Sequence, residues 1–129
     1  MAYPDVVALL RTYLLPIVDP VEVVSRVPLP RPDQLVQIRR VGGTELRPVR
    51  DQPRVDVFCW AATDPAAWTL ADLVRRSVHA LAGTVLLGPT VYRVDETLGP
   101  RSLDDPPTGT PRVWMTFSVS VRADDAIAR

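Results

Sequence analysis

Apolar side chains recur at helical spacing in two segments of the chain. The first covers residues 4–15, and its apolar positions are Val6, Leu9, Leu10, Tyr13 and Leu14. Pro4 and Asp5 suit the first turn of a helix, because proline needs no hydrogen-bond partner there and a carboxylate favours the positive end of the dipole. Pro16 is expected to end this helix, since proline inside a helix removes a hydrogen bond.

The second helical segment, residues 65–82, is the longest amphipathic stretch. Its apolar face consists of Ala67, Leu70, Ala71, Val74, Val78 and Leu81. Asp64 is expected to cap the helix, and Pro65 to lie in its first turn. Gly83 follows the last apolar position and fits the left-handed conformation that closes many helices.

Five further segments carry β-branched or alternating apolar residues and are predicted to be strands. They cover residues 21–27, 35–41, 55–61, 91–98 and 113–121. The last alternates most strictly, so one of its faces is expected in the core and the other in solvent or at a contact. Gly42 and Gly43 predict a sharp reversal after the second strand, with residues 44–53 as the polar tip of a hairpin. The proline-rich residues 28–32 and 99–111 are predicted to be connections.

The order of these segments is helix, three strands, helix, two strands. We therefore predict an α+β fold in which two helices pack on one face of a mixed, mainly antiparallel sheet of four to five strands. No internal repeat or linker divides the chain, so a single domain of residues 1–129 is expected. Residues 123–129 offer little to hold them and are expected to be loose.

The charge balance argues against a protein whose task is to neutralise phosphate. The chain has 15 basic and 15 acidic residues, whereas nucleic-acid-binding domains usually carry a basic excess. All of the basic residues are arginine, and zero net charge favours association between copies. Because Cys59 is the one cysteine, the chain has no internal disulfide. The sequence shows neither a signal-peptide pattern nor an apolar run near the roughly 20 residues of a membrane span, so we expect a cytoplasmic start and no membrane contact.

No arrangement of side chains typical of catalysis is found. His79, the one histidine, lies on the second helix beside Arg75 and Arg76, so we expect a solvent-facing or interface residue rather than a general base. Cys59 and His79 as nucleophile and base form a minor alternative that no local motif supports. We expect no catalytic residue and no cofactor.

Asp104 and Asp105 allow two interpretations. The favoured one is a solvated turn, because aspartate before proline is a common loop former. The other is a magnesium or calcium site that Asp95 or Glu96 would complete. We expect no metal.

Arginines cluster along the predicted hairpin, and two tryptophans are expected to point outward. The arginines either contact an acidic partner or nucleic acid, or keep a solvated hairpin soluble. Trp68 lies one position off the helical stripe and Trp114 lies opposite the core face of its strand, whereas Trp60 is attributed to the core. An outward tryptophan is typical of protein interfaces. The candidate interface residues are Arg39, Arg40, Arg47, Arg50, Arg54, Trp68, Asp104, Asp105 and Trp114.

Four motifs follow one another in a familiar order. They are YPDVVALL at residues 3–10, LVQIRRVGG at 35–43, VDVFCWA at 55–61 and PRVWMTFSVSVR at 111–122. Their order and spacing, together with the chain length, resemble the tail terminator (tail completion) proteins of long-tailed siphophages, especially those of actinobacteria. The resemblance covers nearly the whole chain, although Cys59-Trp60 and the proline-rich residues 28–32 are less typical.

The resemblance implies a structural virion protein without enzyme activity or cofactor. It implies a hexameric ring that caps the tail tube, ends tail polymerisation and joins the tail to the head connector. The partners would be further copies of the chain, the major tail tube protein and the head–tail connector protein. Genomic DNA would pass through the lumen without specific binding, and the protein would be found in the virion neck after assembly in the host cytoplasm.

Three alternatives stay open at this point. Another neck component, such as a connector adaptor or a head completion protein, fits the same pattern of segments. A thiol hydrolase would use Cys59, and a nucleic-acid-binding module would use the hairpin arginines.

Overall fold

The computed structural model describes residues 3–46 and 50–122. The elements in chain order are α1 (Val6–Val18), β1 (Glu22–Val24), β2 (Leu35–Leu46), β3 (Arg50–Trp60), α2 (Asp64–His79), β4 (Val91–Ser102) and β5 (Arg112–Arg122). This order confirms the predicted α+β arrangement of two helices and five strands. The predicted loose tail, residues 123–129, lies outside the described residues.

The five strands form one mixed sheet in the order β1-β2-β3-β5-β4. β1 runs parallel to β2, with Val23 opposite Val36. The β2–β3, β3–β5 and β4–β5 pairs are antiparallel. β1 and β4 are therefore the edge strands, and β2, β3 and β5 lie between them, with β1 covering only residues 35–37 of β2.

The core lies between the two helices and one face of the sheet. On β5 the residues of one parity are at most 1% exposed; they are Val113, Met115, Phe117, Val119 and Val121. The helices bury one face each against them, with Leu10 and Leu14 from α1 and Ala71 and Val74 from α2 all fully buried. Burying one large aliphatic or aromatic side chain stabilises a fold by about 1.5–3 kcal/mol, so this two-layer contact dominates stability.

The expectation that Pro16 ends the first helix was wrong. α1 begins after Asp5, whose side chain accepts a hydrogen bond of 3.1 Å from the Ala8 amide, and it continues through Pro16 to Val18. Pro16 itself is exposed, whereas Val18 is 3% exposed and packs in the core. Burial of Val18 offsets the hydrogen bond that Pro16 cannot donate.

The second helix begins one position earlier than predicted. Thr63, not Asp64, is the N-cap, and its side chain accepts a hydrogen bond of 3.3 Å from the Ala66 amide. Asp64 is the first helical residue, where its charge favours the helix dipole. The helix ends at His79, and Gly83 adopts the predicted left-handed conformation with φ of 77°.

The predicted reversal at Gly42 and Gly43 was wrong, because β2 continues through both glycines to Leu46. The register with β3 shifts between Arg40 and Gly43, which marks a bulge. Gly43 has φ of 123°, and a Cβ there would collide with the backbone oxygen of Gln52 and lie 2.7 Å from the Cα of Pro53. Gly43 therefore allows close approach of β2 to β3 inside a long ladder, where a turn was expected.

Other strand limits also differ from those predicted. β1 has three residues where residues 21–27 were expected. β4 extends to Ser102, so the predicted loop 99–111 begins only at residue 103. Among the described residues, no helix has the length and apolar character needed to cross a membrane.

Alanine substitution of the two glycines distinguishes destabilisation by a steric collision from destabilisation by a positive φ. Gly43→Ala is expected to lower the free energy of unfolding by roughly 1–3 kcal/mol more than Gly42→Ala, because its Cβ collides with β3. Gly42 has a similar φ of 112° but no atom within 4 Å of an added Cβ, so it is the matched control. Urea unfolding of both variants measures the difference, and equal losses would contradict the close approach of Gly43 to β3.

Candidate contact surface

The face of the sheet opposite the helices carries an aromatic cluster. The strand register places Phe58 opposite Trp114, and Leu35 opposite Trp60. These residues have the opposite parity from the core residues of their strands, so their side chains lie on the open face. The Phe58 and Trp114 rings are stacked with centroids 5.5 Å apart, and Phe58 lies 5.9 Å from Trp60.

Arginine side chains cover these aromatic rings. The guanidinium carbon of Arg101 lies 3.8 Å from the ring centroid of Trp114. That of Arg112 lies 4.9 Å from Phe58 and 5.4 Å from Trp60. A cation over an aromatic face contributes about 0.5–1 kcal/mol at an exposed site and about 2 kcal/mol when desolvated. We call Phe58, Trp60, Trp114, Arg101 and Arg112 the aromatic–arginine cluster.

The proline-rich connection between β1 and β2 shields one end of this cluster. Arg31 in that connection donates a hydrogen bond of 2.9 Å to the Thr110 hydroxyl, and its guanidinium lies 5.9 Å from the Trp60 ring. Trp60 is consequently only 2% exposed. The prediction that Trp60 is buried is confirmed, but it is buried on the open face and not against the helices. Trp114, expected to point outward, is half-buried beneath Arg101.

The hairpin arginines divide into bound and free side chains. Arg40 binds Asp51 through two hydrogen bonds of 3.0 and 3.4 Å, and the Asp51 side chain is only 5% exposed. The role of Arg40 is therefore to neutralise the buried carboxylate of Asp51. Arg39 and Arg54 are exposed, and neither side chain has a hydrogen bond or ion pair within residues 3–46 and 50–122.

The other candidate interface residues have varied surroundings. The guanidinium of Arg50 lies 4.2 Å from the Tyr92 ring centroid, and Arg47 lies outside the described residues. Trp68 is 41% exposed on α2. The structure thus does not unite the predicted residues in one patch, since Trp68 is on the helical layer and Trp114 on the opposite face of the sheet.

Asp105 is held in a tight turn. Its carboxylate accepts a hydrogen bond of 2.9 Å from the Thr108 hydroxyl and lies 3.8 Å from Arg112. Its backbone oxygen accepts from the amides of Thr108 and Gly109, at 3.2 and 2.7 Å. Asp104 is exposed. In the described part of the chain, no three His, Cys, Asp or Glu side chains are placed to hold a metal ion.

Glu96 joins α2 to β4. Arg75 donates two hydrogen bonds to its carboxylate, of 2.6 and 2.8 Å, and His79 Nε2 lies 3.2 Å away. The Arg75 hydrogen bonds hold the pKa of Glu96 below its usual value, while partial burial opposes them and His79 adds to them. No sequence motif could reveal this group, because Glu96 lies 21 residues from Arg75 and 17 residues from His79 along the chain.

Cys59 is shielded on β3. It is fully buried, opposite Val36 on β2 and Val113 on β5. Desolvation raises the pKa of the thiol to about 12. Because the thiolate is the nucleophile, this environment disfavours a reactive cysteine.

The fold and its surface define a class of protein: a two-layer α+β domain with aromatic and arginine side chains on an open sheet face. The family model described as "Phage tail termination protein" matches residues 2–127. The chain therefore belongs to the phage tail termination protein family, and it is a viral tail structural protein by family.

A solved structure supports the fold. A chain in the structure titled "Virion of native gene transfer agent (GTA) particle" is similar to this one, with a TM-score of 0.55 and 19% identity. The match covers 93% of this chain and 87% of that chain. Among curated protein sequences, none matches this chain.

The buried thiol predicts a slow labelling reaction. Cys59 is expected to react with a maleimide at pH 8 only when the fold opens, because the folded thiol is desolvated and protonated. Mass spectrometry of labelled protein, with and without urea, measures this. Rapid labelling in the folded state, as fast as in urea, would contradict the burial of Cys59.

The Glu96 group predicts a pH-dependent contribution to stability. The pKa of Glu96 is lower in the folded chain than in the unfolded chain, where it lies near 4.5. The stabilisation is thus present above that pH and is lost as the pH falls through the folded-state value. Glu96→Gln is expected to have a lower free energy of unfolding than the unaltered protein at pH 7. This difference should disappear in acid, where Glu96 itself is protonated.

Urea unfolding between pH 7 and pH 3 measures this difference. Asp33→Asn is the matched control, because Asp33 is exposed and has no ion pair within the described residues. A deficit of Glu96→Gln that stays constant over the whole pH range would contradict the assignment.

Proposed function

We propose that this chain forms a closed ring of six copies that caps the phage tail tube, ends tail polymerisation and joins the tail to the head connector. The observation that carries the proposal is the family match over residues 2–127, because it spans almost the whole chain. The similar chain in the gene transfer agent particle belongs to a virion, which is the location we propose here.

A ring requires a contact between two different surfaces that closes after a fixed rotation. Zero net charge removes long-range repulsion between copies. The chain also exposes large apolar side chains at separate places; within the described residues they are Leu15, Leu29, Val41, Trp68, Val85, Leu87, Leu98 and Leu103. Such groups gain free energy when neighbouring subunits cover them.

We propose a structural and not a catalytic role. Cys59 is desolvated, and His79 faces the Glu96 carboxylate, so neither is placed as an activated pair in this geometry. The proposed partners are further copies of the chain, the major tail tube protein and the head–tail connector protein. Arg39, Arg54 and Trp68 are the predicted interface residues with most freedom to contact them.

Genomic DNA is proposed to pass through the lumen without specific binding. The charge balance supports this, because tight binding to duplex DNA requires the neutralisation of several phosphates. The same ring would occupy the virion neck after assembly in the host cytoplasm.

Loss of the chain from its phage tests the proposal. A nonsense codon in the gene is expected to give tails of abnormal length that fail to join heads, because nothing ends the tube or presents a connector surface. Electron microscopy of lysates measures tail length and head attachment, and the intact gene supplied in trans is the control. Tails of normal length attached to heads would overturn the proposal.

A density map of the head–tail junction distinguishes a tail terminator from the main alternative, another neck component. A ring between the last tube ring and the connector is expected for a terminator. A ring on the head side of the connector would instead identify another neck component.

A further inference from the structure

The outer strand β4 presents a restrained cation beside an apolar side chain. Leu98 is 50% exposed and lies opposite Thr116. Arg101 lies opposite Trp114, so both side chains belong to the open face of the sheet. The guanidinium carbon of Arg101 is 3.8 Å from the Trp114 ring centroid, and the side chain donates one hydrogen bond, of 3.4 Å, to the Gly99 oxygen. We call Leu98 and Arg101 the β4 surface.

Arg101 keeps its charge without a carboxylate partner among residues 3–46 and 50–122. The carboxylates nearest to it in strand register or in sequence are Asp56, Asp95, Asp104 and Asp105. Asp95 is bound to Arg93 at 2.8 Å, and Asp105 lies 3.8 Å from Arg112. None of the four forms an ion pair with Arg101 in the described structure. A guanidinium has five donors in one plane, so Arg101 can bind a carboxylate from outside the subunit.

The sequence that follows β5 has the complementary chemistry. Residues 123–129, outside the described part of the chain, have the sequence ADDAIAR. Asp124 and Asp125 supply adjacent carboxylates, and Ile127 supplies a large apolar side chain two positions later. The β4 surface has one cation and one exposed leucine, so the two partners have opposite charges and similar apolar groups. The apolar component favours a protein segment over a hydrated phosphate as the ligand of this surface.

The length of the chain prevents these aspartates from reaching Arg101 of their own copy. β5 ends at Arg122, eight residues beyond Trp114, which lies opposite Arg101. At a rise of about 3.3 Å per residue, this separation is about 26 Å. Asp125 follows Arg122 by three residues and extends at most about 11 Å from it. The remaining distance of about 15 Å is more than an arginine and an aspartate side chain span together, so the partner must be a second copy.

We infer that residues 123–129 of one copy dock on the β4 surface of the next copy. One of the two aspartates binds Arg101, and Ile127 packs beside Leu98. This inference rests on the proposed ring and names a contact between its copies. Because the segment and the surface it meets are different, the contact is directional and repeats from copy to copy around a ring. The ion pair and the covered leucine offset the cost of ordering the segment.

Engineered cysteines test which residues meet. Cys59 is buried and the pKa of its thiol is raised to about 12, so new exposed cysteines react selectively with a short bis-maleimide. An equimolar mixture of Leu98→Cys chains and Ile127→Cys chains is expected to give cross-linked dimers. Each variant alone is expected to give no more dimer than the unaltered protein. Denaturing electrophoresis measures all of these samples.

A second leucine provides the matched control for cross-linking. Leu15 is 51% exposed, close to the exposure of Leu98, but it lies on α1 in the helical layer. A mixture of Leu15→Cys chains and Ile127→Cys chains is therefore expected to give little dimer. Equal cross-linking of Ile127→Cys to both leucines would show contact without a defined site and would overturn the inference.

A charge swap tests the ionic part of the contact. Arg101→Glu chains, and chains that carry both Asp124→Arg and Asp125→Arg, are each expected to associate at least about tenfold more weakly, because like charges then meet. An equimolar mixture of the two is expected to restore association, because every contact then joins opposite charges. Loss of the Arg101–Trp114 contact within one subunit would not be repaired by mixing. Sedimentation velocity measures the association, and Arg76→Glu, an exposed charge reversal on α2, is the control of equal net charge for Arg101→Glu.

The outcomes separate this contact from the ring itself. Multimers without any link between positions 98 and 127 would overturn the contact and leave the ring proposal standing. A mixture that associates as weakly as its separate components would overturn the contact as well. A chain that stays monomeric at every concentration would also overturn it, and the tail phenotype of the nonsense codon would then decide the ring proposal separately.

Discussion

Burial of one face of β5 against the helices is the constraint on which the rest of the structure depends. β5 pairs with β3 on one side and β4 on the other, and Met115 and Phe117 are completely buried. Successive side chains of a strand point to opposite faces, so this burial also fixes what the open face displays. Trp114 stacks on Phe58 there, and the Thr116 hydroxyl donates a hydrogen bond of 2.7 Å to Asp56. A register slip of one residue would exchange the core and the contact surface.

The edge strand β4 depends on side chains as much as on its ladder. It pairs with β5 alone and loses register three times. Arg75 and His79 on α2 both contact Glu96, which attaches the strand to the helical layer from its inner face. On the outer face, Arg101 lies on Trp114 of the neighbouring strand. An irregular edge is thus held from both sides of the sheet.

The sequence predicts the order of elements because hydrophobic periodicity reflects burial, and burial decides the fold. β5 is predicted almost to the residue, since its alternation is strict. Predictions from local propensity were wrong where packing opposed them. Pro16 was expected to end α1, but it lies inside the helix because Val18 is buried beyond it. Gly43 was expected in a turn, but it lies at a bulge in β2. The pairing of Arg40 with Asp51 depends on strand register, which single-residue patterns do not contain.

Arginine has three different roles in this chain, and the difference determines what its surface can bind. Arg40 and Arg75 neutralise carboxylates inside the subunit. Arg112 is only 13% exposed in its side chain and is enclosed by Asp105 and the aromatic rings. The number of arginines therefore overestimates the positive charge that is available to a binding partner. Arg101 is different because its guanidinium lies over the Trp114 ring and keeps its charge. This contact restrains the side chain, so a partner carboxylate can bind it with less loss of side-chain freedom. This preorganisation favours a geometrically defined protein contact over diffuse attraction to nucleic acid.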